Sequence, residues 1–175
     1  MRYLLLMVLL VGTIGCREPA PPIEGAEEPA WVEPALIARS AVRPFPDATE
    51  VRLFVEGEVT QANLNPGFIE PEGRALSAEQ RQTFEQTLSA VSYREGDRAY
   101  AACFIPHHFF RYFDDQGRQV GQVAVCFCCY GVQAWPNLDL PVAPGADFVE
   151  FQFDEPALRA LIGSMELPVD INCRD

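Results

Sequence analysis

Two segments rich in aromatic and β-branched residues stand on either side of a short polar turn. His108 to Phe113 and Gln119 to Phe127 each have the composition of a β-strand. Asp114-Asp115-Gln116-Gly117 lies between them and has the chemistry of a tight hairpin turn. Because hairpin strands are antiparallel neighbours, this region predicts an antiparallel β-hairpin at about 108–127.

Further segments extend the predicted sheet. Thr49 to Glu56 and Asp147 to Phe153 alternate polar and apolar residues, which is the pattern of a half-buried strand. Ala99 to Ile105 is also rich in strand-forming residues and precedes the hairpin. These segments predict a small antiparallel sheet that contains the hairpin.

Two helices complete the expected fold. Ser77 with Gln80 has the spacing of a capping box and predicts a helix over 78–92, with Phe84, Leu88 and Val91 on its core-facing side. Asp154-Glu155-Pro156 predicts a second helix, 156–165, because proline is favoured in the first turn. The sequence therefore predicts an α+β domain in which two helices pack on the sheet.

The predicted domain begins after a proline-rich stretch. Residues 17–46 contain seven prolines with interspersed glutamates, so we expect residues 16–46 to form a tether and 47–175 a single α+β domain. Glu33 to Arg39 could form one or two helical turns within the tether, or belong to a disordered stalk.

The N-terminus has the features of a secretory signal. Arg2 precedes an apolar run that is too short to span a bilayer but suits the h-region of a signal peptide, residues 1–15. Thr13-Ile14-Gly15-Cys16 resembles a bacterial lipobox, in which the cysteine receives diacylglycerol and a further acyl chain such as palmitate. That resemblance implies lipidation at Cys16, and Arg17 after it suggests sorting to the outer membrane, facing the periplasm.

The charge of the chain excludes one class of partner. Its 25 acidic residues face 13 basic residues, all arginine, for a net charge of −12. An anion of this kind repels phosphate backbones, so we expect no nucleic-acid partner. The sequence also lacks a cluster of basic residues that could bind anionic lipid, so the lipid attached to Cys16 must hold the chain at the membrane.

Both histidines and four of the six cysteines lie in two short words, "CFIPHH" at 103–108 and "CFCC" at 126–129. In a hairpin with a two-residue loop, Cys103 would face Cys128; with a three-residue loop it would face Cys129. Pro106 cannot donate to the sheet and favours a bend before the hairpin. The two words are therefore expected to meet, in a register that the sequence leaves open.

Three interpretations of this cluster compete. Structural disulfides suit an oxidising compartment: Cys103 could bridge to Cys126, Cys128 or Cys129, and Cys173 could join the C-terminus to another of them. An odd number of cysteines remains if Cys16 is lipidated, which leaves one thiol without an intramolecular partner.

A metal site is the second interpretation. Cys126 and Cys129 have C-x₂-C spacing, and Cys103 with His107 or His108 could complete a set for zinc or copper(I), provided the strand turns at 126–129. Thiol chemistry is the third, because a cysteine near a protonated histidine has a lowered pKa. No sequence motif of a known enzyme class is present, so we expect a non-enzymatic protein.

The segment from Leu76 to Cys129 is similar to a group of uncharacterised bacterial lipoprotein-like proteins. The resemblance is carried by a pattern of Cys, Pro-[His/Arg]-His, a hairpin with Asp and Gly, and Cys-Phe-x-Cys. Its positions here are Cys103, Pro106, His107, His108, Asp114, Gly117, Cys126, Phe127 and Cys129. The resemblance implies that Cys103, His108, Cys126 and Cys129 act as one cluster, with Cys128 at a variable position.

These observations predict a lipid-anchored protein of the bacterial cell envelope. Its domain is expected to have a binding or structural role built around the cysteine–histidine cluster. The alternative is an envelope metal-binding or thiol-redox protein.

Overall fold

Eight β-strands and two α-helices make up the computed structural model, which describes residues 32–96 and 104–173. The α+β class predicted from the sequence is confirmed, with the strands divided between two antiparallel sheets. In chain order the elements are β1 (Ala35–Ala41), β2 (Glu50–Val55), β3 (Arg74–Ala75), α1 (Ala78–Gln86), β4 (Leu88–Arg94), β5 (His108–Phe113), β6 (Gln119–Cys126), β7 (Gly131–Trp135), β8 (Phe148–Phe153) and α2 (Glu155–Ser164).

The predicted hairpin is the centre of the larger sheet, whose strand order is β3-β2-β5-β6-β7. His108 pairs with Val125 and Tyr112 with Gly121. This pairing is shifted by one residue along β6 from the register expected for a three-residue loop, and by two from that for a two-residue loop. A register shift follows Tyr112, so that Phe113 pairs with Gln119. A bulge adds a residue to one strand, and an unrecognised bulge therefore displaces any register counted from the turn.

The smaller sheet has the order β1-β4-β8 and contains a strand that the sequence analysis placed in the tether. β1 pairs antiparallel with β4, for example Arg39 with Val91. The helical turns considered for Glu33 to Arg39 are therefore wrong, because Ala35–Ala41 is extended. Most of its side chains are exposed, and pairing with a neighbouring strand, which no local pattern reveals, determines its conformation.

The first helix is shorter than predicted. Its capping box is confirmed: the Ser77 side chain accepts from the Gln80 backbone, and the Gln80 side chain accepts from the Ser77 backbone. The helix ends at Gln86, and the residues expected to continue it to 92 form β4 instead. Leu88 to Ser92 are all buried. A strand that is buried on both sides lacks the alternation of polar and apolar residues, and the spacing of Leu88 and Val91 therefore resembled that of a helix.

The helices cover one face of the larger sheet and enclose the core. Phe84 of α1 stacks on Phe110 of β5, with ring centroids 3.6 Å apart and both side chains fully buried. Leu158 and Ile162 of α2 join the same apolar cluster. α2 begins at Glu155, one residue before the predicted start, and Asp154 caps it by accepting from the Ala157 backbone. No helix in residues 32–96 or 104–173 is long and apolar enough to cross a membrane.

The predicted strand over 99–105 falls mostly outside the described residues. Of its positions the structure describes Phe104 and Ile105, and neither lies in a strand. The signal peptide and most of the predicted tether also lie outside the described residues.

Candidate functional site

The turn between β6 and β7 holds three of the cysteines in four consecutive residues. β6 ends at Cys126, which pairs with Gly131 at the start of β7. The chain reverses through residues 127–130, with Tyr130 in the left-handed region at φ 53°. The turn at 126–129 that the metal interpretation required is therefore present. It brings the Cα atoms of Cys126 and Cys129 to 5.6 Å, and their sulfurs form a disulfide.

A second disulfide joins this turn to the end of the chain. Cys128 pairs with Cys173, 45 residues further along, with their Cα atoms 5.2 Å apart. Cys128 is exposed and Cys173 partly exposed, whereas Cys126 is buried. This pairing matches the expectation that Cys173 holds the C-terminus to one member of the cluster. The four cysteines within the described residues are all used by these two bridges.

Residues 165–173, here called the C-terminal segment, also attach to the domain through side chains. Leu167 and Ile171 are buried in the core. The side chain of Asn172 accepts from the Val59 backbone at 2.7 Å and donates to the Gly57 carbonyl at 3.1 Å. The disulfide to Cys173 therefore closes a segment that packing and hydrogen bonds already position.

His107 is held by a neighbouring carboxylate. Its Nδ1 lies 2.8 Å from Oε2 of Glu56, and its side chain is 10% exposed against 37% for Glu56. The same two residues are also joined through their backbones, since the Glu56 N–H donates to the His107 carbonyl. One ring nitrogen of His107 is therefore engaged at the junction of the loop before β5 and the end of β2.

His108 begins β5 and is buried beneath the C-terminal segment. Its Nε2 lies 2.9 Å from the carbonyl oxygen of Pro168, so that nitrogen carries the proton and donates. The ring meets Phe127 edge to face at 4.9 Å between centroids. Burial is the main reason that the pKa of His108 falls to about 4; the bond to Pro168 opposes the change. His108 is thus a neutral imidazole at physiological pH.

The ligand set predicted for a metal is only partly described. His107, His108, Cys126 and Cys129 all lie near the β5 and β6 ends, but the two cysteines are bonded to each other. Within the described ranges no group of three or more His, Cys, Asp or Glu side chains could hold a metal ion. Cys103 lies outside the described residues, and Cys126, Cys128 and Cys129, its expected partners, have other partners.

Sequence reasoning missed several partners of these residues. The resemblance left Cys128 at a variable position, yet it carries the link to Cys173. Glu56 as the partner of His107, and Pro168 as that of His108, are 51 and 60 residues distant in the chain. The presence of Cys173 near the C-terminus was the signal for the C-terminal bridge, whereas no local pattern indicates the two histidine contacts.

The chemistry available at this site is that of a covalent clamp. A disulfide sulfur is neither a thiolate nucleophile nor a metal ligand, so both functions require reduction first. Exchange with an external thiol is most accessible at the exposed Cys128.

The chain matches no protein-family model, no curated protein and no solved structure at a significant level.

Proposed function

We propose that this chain is a lipid-anchored binding domain of the bacterial cell envelope, in which the cysteine–histidine cluster is a structural clamp. The observation that carries this proposal is the pair of disulfides around one turn, Cys126 with Cys129 and Cys128 with Cys173. Such bridges form and persist in oxidising compartments such as the periplasm, which agrees with a signal peptide that ends before Cys16.

The histidine contacts support the same proposal. His108 donates to a backbone carbonyl and is buried as a neutral ring, and His107 faces the carboxylate of Glu56. Both arrangements hold loops to the sheet. The binding role is supported by exposed side chains on the larger sheet, such as Gln133 and Trp135, which the disulfides do not involve.

Thiol and disulfide counting tests the clamp. We expect the purified chain, denatured and alkylated without reductant, to retain two disulfides, and four more alkyl groups to be added after reduction. A Cys173→Ser variant should expose a single new reactive thiol, at Cys128. Free Cys126 and Cys129 together with about one zinc per chain would instead assign the cluster to metal binding.

Anchoring is tested separately from the clamp. The proposed acylation of Cys16 predicts that the wild-type chain partitions with membranes and that its N-terminal peptide carries diacylglycerol and fatty acid. A Cys16→Ser variant should lose the lipid and appear in the soluble fraction. Equal membrane partition of the two chains would contradict a lipid anchor at this residue.

A thiol-redox role is the second candidate, favoured by the exposed Cys128 beside the C-x₂-C bridge. It predicts a reduction potential above about −300 mV, since structural disulfides lie below that value. Titration against a glutathione buffer, followed by alkylation and mass measurement, distinguishes the two. Zinc or copper(I) uptake by the reduced chain tests the metal alternative in the same samples.

A further inference from the structure

The larger sheet has one face turned away from the helices. Side chains alternate across a strand, so the neighbours of the buried Val51, Phe110 and Val123 point to the opposite side. This outer face carries aromatic and amide side chains, two arginines and one carboxylate, Glu50, which is paired with Arg52 at 2.6 Å. Phe54 and Ala124 on this face are buried. Its members on β2, β5, β6 and β7 include Glu50, Arg52, Phe54, Phe109, Arg111, Phe113, Gln122, Ala124, Gln133 and Trp135.

Arg111 lies in the middle of the outer face and is held in one orientation. Its guanidinium carbon is 4.3 Å from the ring centroid of Phe54 and 4.9 Å from that of Phe68. Its Nε donates to Oε1 of Gln122 at 3.0 Å. The contacts with both rings and the hydrogen bond to Gln122 reduce the rotamer freedom that a binding event would otherwise have to remove.

The charge of Arg111 is not matched by a carboxylate in residues 32–96 and 104–173. Six other arginines of this part of the chain have a carboxylate oxygen within 4.0 Å. Arg39 and Arg94 lack one there but are exposed, whereas Arg111 is partly buried, and burial lowers its pKa. A partly desolvated cation without a carboxylate partner in these ranges can accept one from a ligand.

Trp135 provides a second contact on the same cross-strand row. Arg111 pairs with Gln122, and Gln122 pairs with Trp135, so two strand spacings of about 4.8 Å separate the arginine from the tryptophan. Trp135 is 46% exposed although it sits in a strand, and Gln133 beside it on β7 is also exposed. An exposed indole surface and the exposed amide of Gln133 therefore lie on the same face as the cation.

We propose that this outer face binds an oligosaccharide that carries a carboxylate, with the carboxylate on Arg111 and a sugar ring against Trp135. The guanidinium offers two parallel donors to a carboxylate. The amides of Gln122 and Gln133 both donate and accept, which matches sugar hydroxyl groups. The distance of about 10 Å between the two anchoring residues is comparable with the length of a disaccharide.

Charge and the exposed indole favour a glycan over an acidic peptide. The negative charge of the whole chain repels a ligand with many carboxylates, whereas a glycan presents isolated ones among neutral hydroxyls. The carbon–hydrogen face of a pyranose ring also fits an exposed indole at a sheet edge. This inference deepens the proposed binding role and rests on it, since it names the ligand class and the surface.

Calorimetric titration of the full chain tests the proposal. The probes are a uronic acid hexamer in which glucuronic acid alternates with neutral N-acetylglucosamine, a neutral glucose hexamer of equal length and hexaglutamate. We expect saturable binding of the uronic acid hexamer, at least tenfold weaker binding of the neutral hexamer, and weaker binding at higher ionic strength. Preferential binding of hexaglutamate, or no binding of any probe, would overturn the proposal.

Variants identify the surface. Arg111→Gln and Trp135→Ala should each lower the affinity for the uronic acid hexamer at least tenfold. Arg43→Gln, which removes an exposed arginine paired with Glu85, should leave it unchanged. Trp135 is exposed, so its variant is expected to keep the wild-type unfolding temperature, and this separates lost binding from lost folding.

Fluorescence gives an independent readout. The chain has two tryptophans, Trp31 and Trp135, so a Trp31→Phe chain reports on Trp135 alone. Its emission should change on titration with the uronic acid hexamer, with the same dissociation constant as in calorimetry. Binding without any emission change would place the ligand elsewhere and contradict this site. Either outcome leaves the disulfide count, and hence the structural clamp, unaffected.

Discussion

His108 on β5 donates from Nε2 to the carbonyl oxygen of Pro168, 2.9 Å away, and so joins the larger sheet to the C-terminal segment. The other ring nitrogen, Nδ1, is buried and has no hydrogen-bond partner within the described residues. Protonation would place a charge and an unmatched donor in the core. Burial therefore favours the neutral ring, although either protonation state can donate from Nε2 to Pro168.

This relationship predicts that the protein loses stability in acid. The pKa of His108 is about 4 in the folded chain and 6.5 when unfolded, so unfolding takes up a proton between these values. The free energy of unfolding is therefore unaffected by His108 protonation above pH 6.5. It decreases as the pH drops from 6.5 to about 4, by about 3 kcal/mol in total. Urea unfolding at intervals from pH 7 to pH 4 measures it.

A His108→Gln variant provides the control for this pH dependence. Glutamine retains a donor for the Pro168 carbonyl but does not titrate, so its stability profile should be flatter over the same pH range. His107, Arg159 and Asp170 also act on the charge of His108, and the variant retains all three. Parallel profiles for wild type and variant would show that another group causes the acid sensitivity.

The two disulfides should contribute unequally to stability. In the chain-entropy description, closing the loop from Cys128 to Cys173 contributes about 4 kcal/mol, whereas the short loop from Cys126 to Cys129 contributes about 2 kcal/mol. Paired serine substitutions at each bridge avoid new free thiols within it. Chemical unfolding should show the larger loss for the Cys128/Cys173 pair; the reverse order would contradict this assignment.

Two glycines should respond in opposite directions to replacement by alanine. A Cβ on Gly121 would lie 2.4 Å from the Phe45 ring, so Gly121→Ala should destabilise the fold by about 1–3 kcal/mol. Gly163 lies in α2 with open space around it, and Gly163→Ala should stabilise by about 0.5–1 kcal/mol through helix propensity. Thermal unfolding of both variants measures the two effects, and equal shifts would argue against the packing of Phe45.

Strand β1 should be part of the folded domain. A chain beginning at Val32 retains β1, whereas one beginning at Pro44 removes it and leaves β4 as an unpaired edge. We expect the shorter chain to be less stable and to aggregate more readily, because an open edge strand recruits other chains. Unfolding midpoints and light scattering compare the two. Equal stability of the two chains would contradict a role for β1 in the domain and favour the predicted domain start at residue 47.

Local pattern was sufficient where a few neighbouring residues determine the conformation. The Ser77 capping box, the Asp154 cap and the strands on either side of the 114–117 turn were each predicted from residues within a few positions of one another. The helix expected over 78–92 failed at Thr87. Beyond that point burial on both sides of β4 removed the alternation on which a strand prediction depends.

Reactive residues were found from the sequence, but their partners were not. The two histidines and the cysteines of the 126–129 turn lie near one another as expected. A bulge in β6, however, shifted the strand register from which the partner of Cys103 was predicted. Arg111 and Trp135 gave no sequence signal, since an arginine or tryptophan in a strand has no pattern of its own. Only the sheet places them on one row.

The sequence by itself determined the α+β class, the central hairpin, both helix starts and the positions of the reactive side chains, because these depend on short-range periodicity and capping. Tertiary structure alone decided that Cys128 pairs with Cys173, which carbonyl binds His108 and that Arg111 and Trp135 share one face of the sheet. The disulfide and the histidine contact join segments 45 and 60 residues apart, and the shared face depends on strand register, so packing and strand pairing select these outcomes.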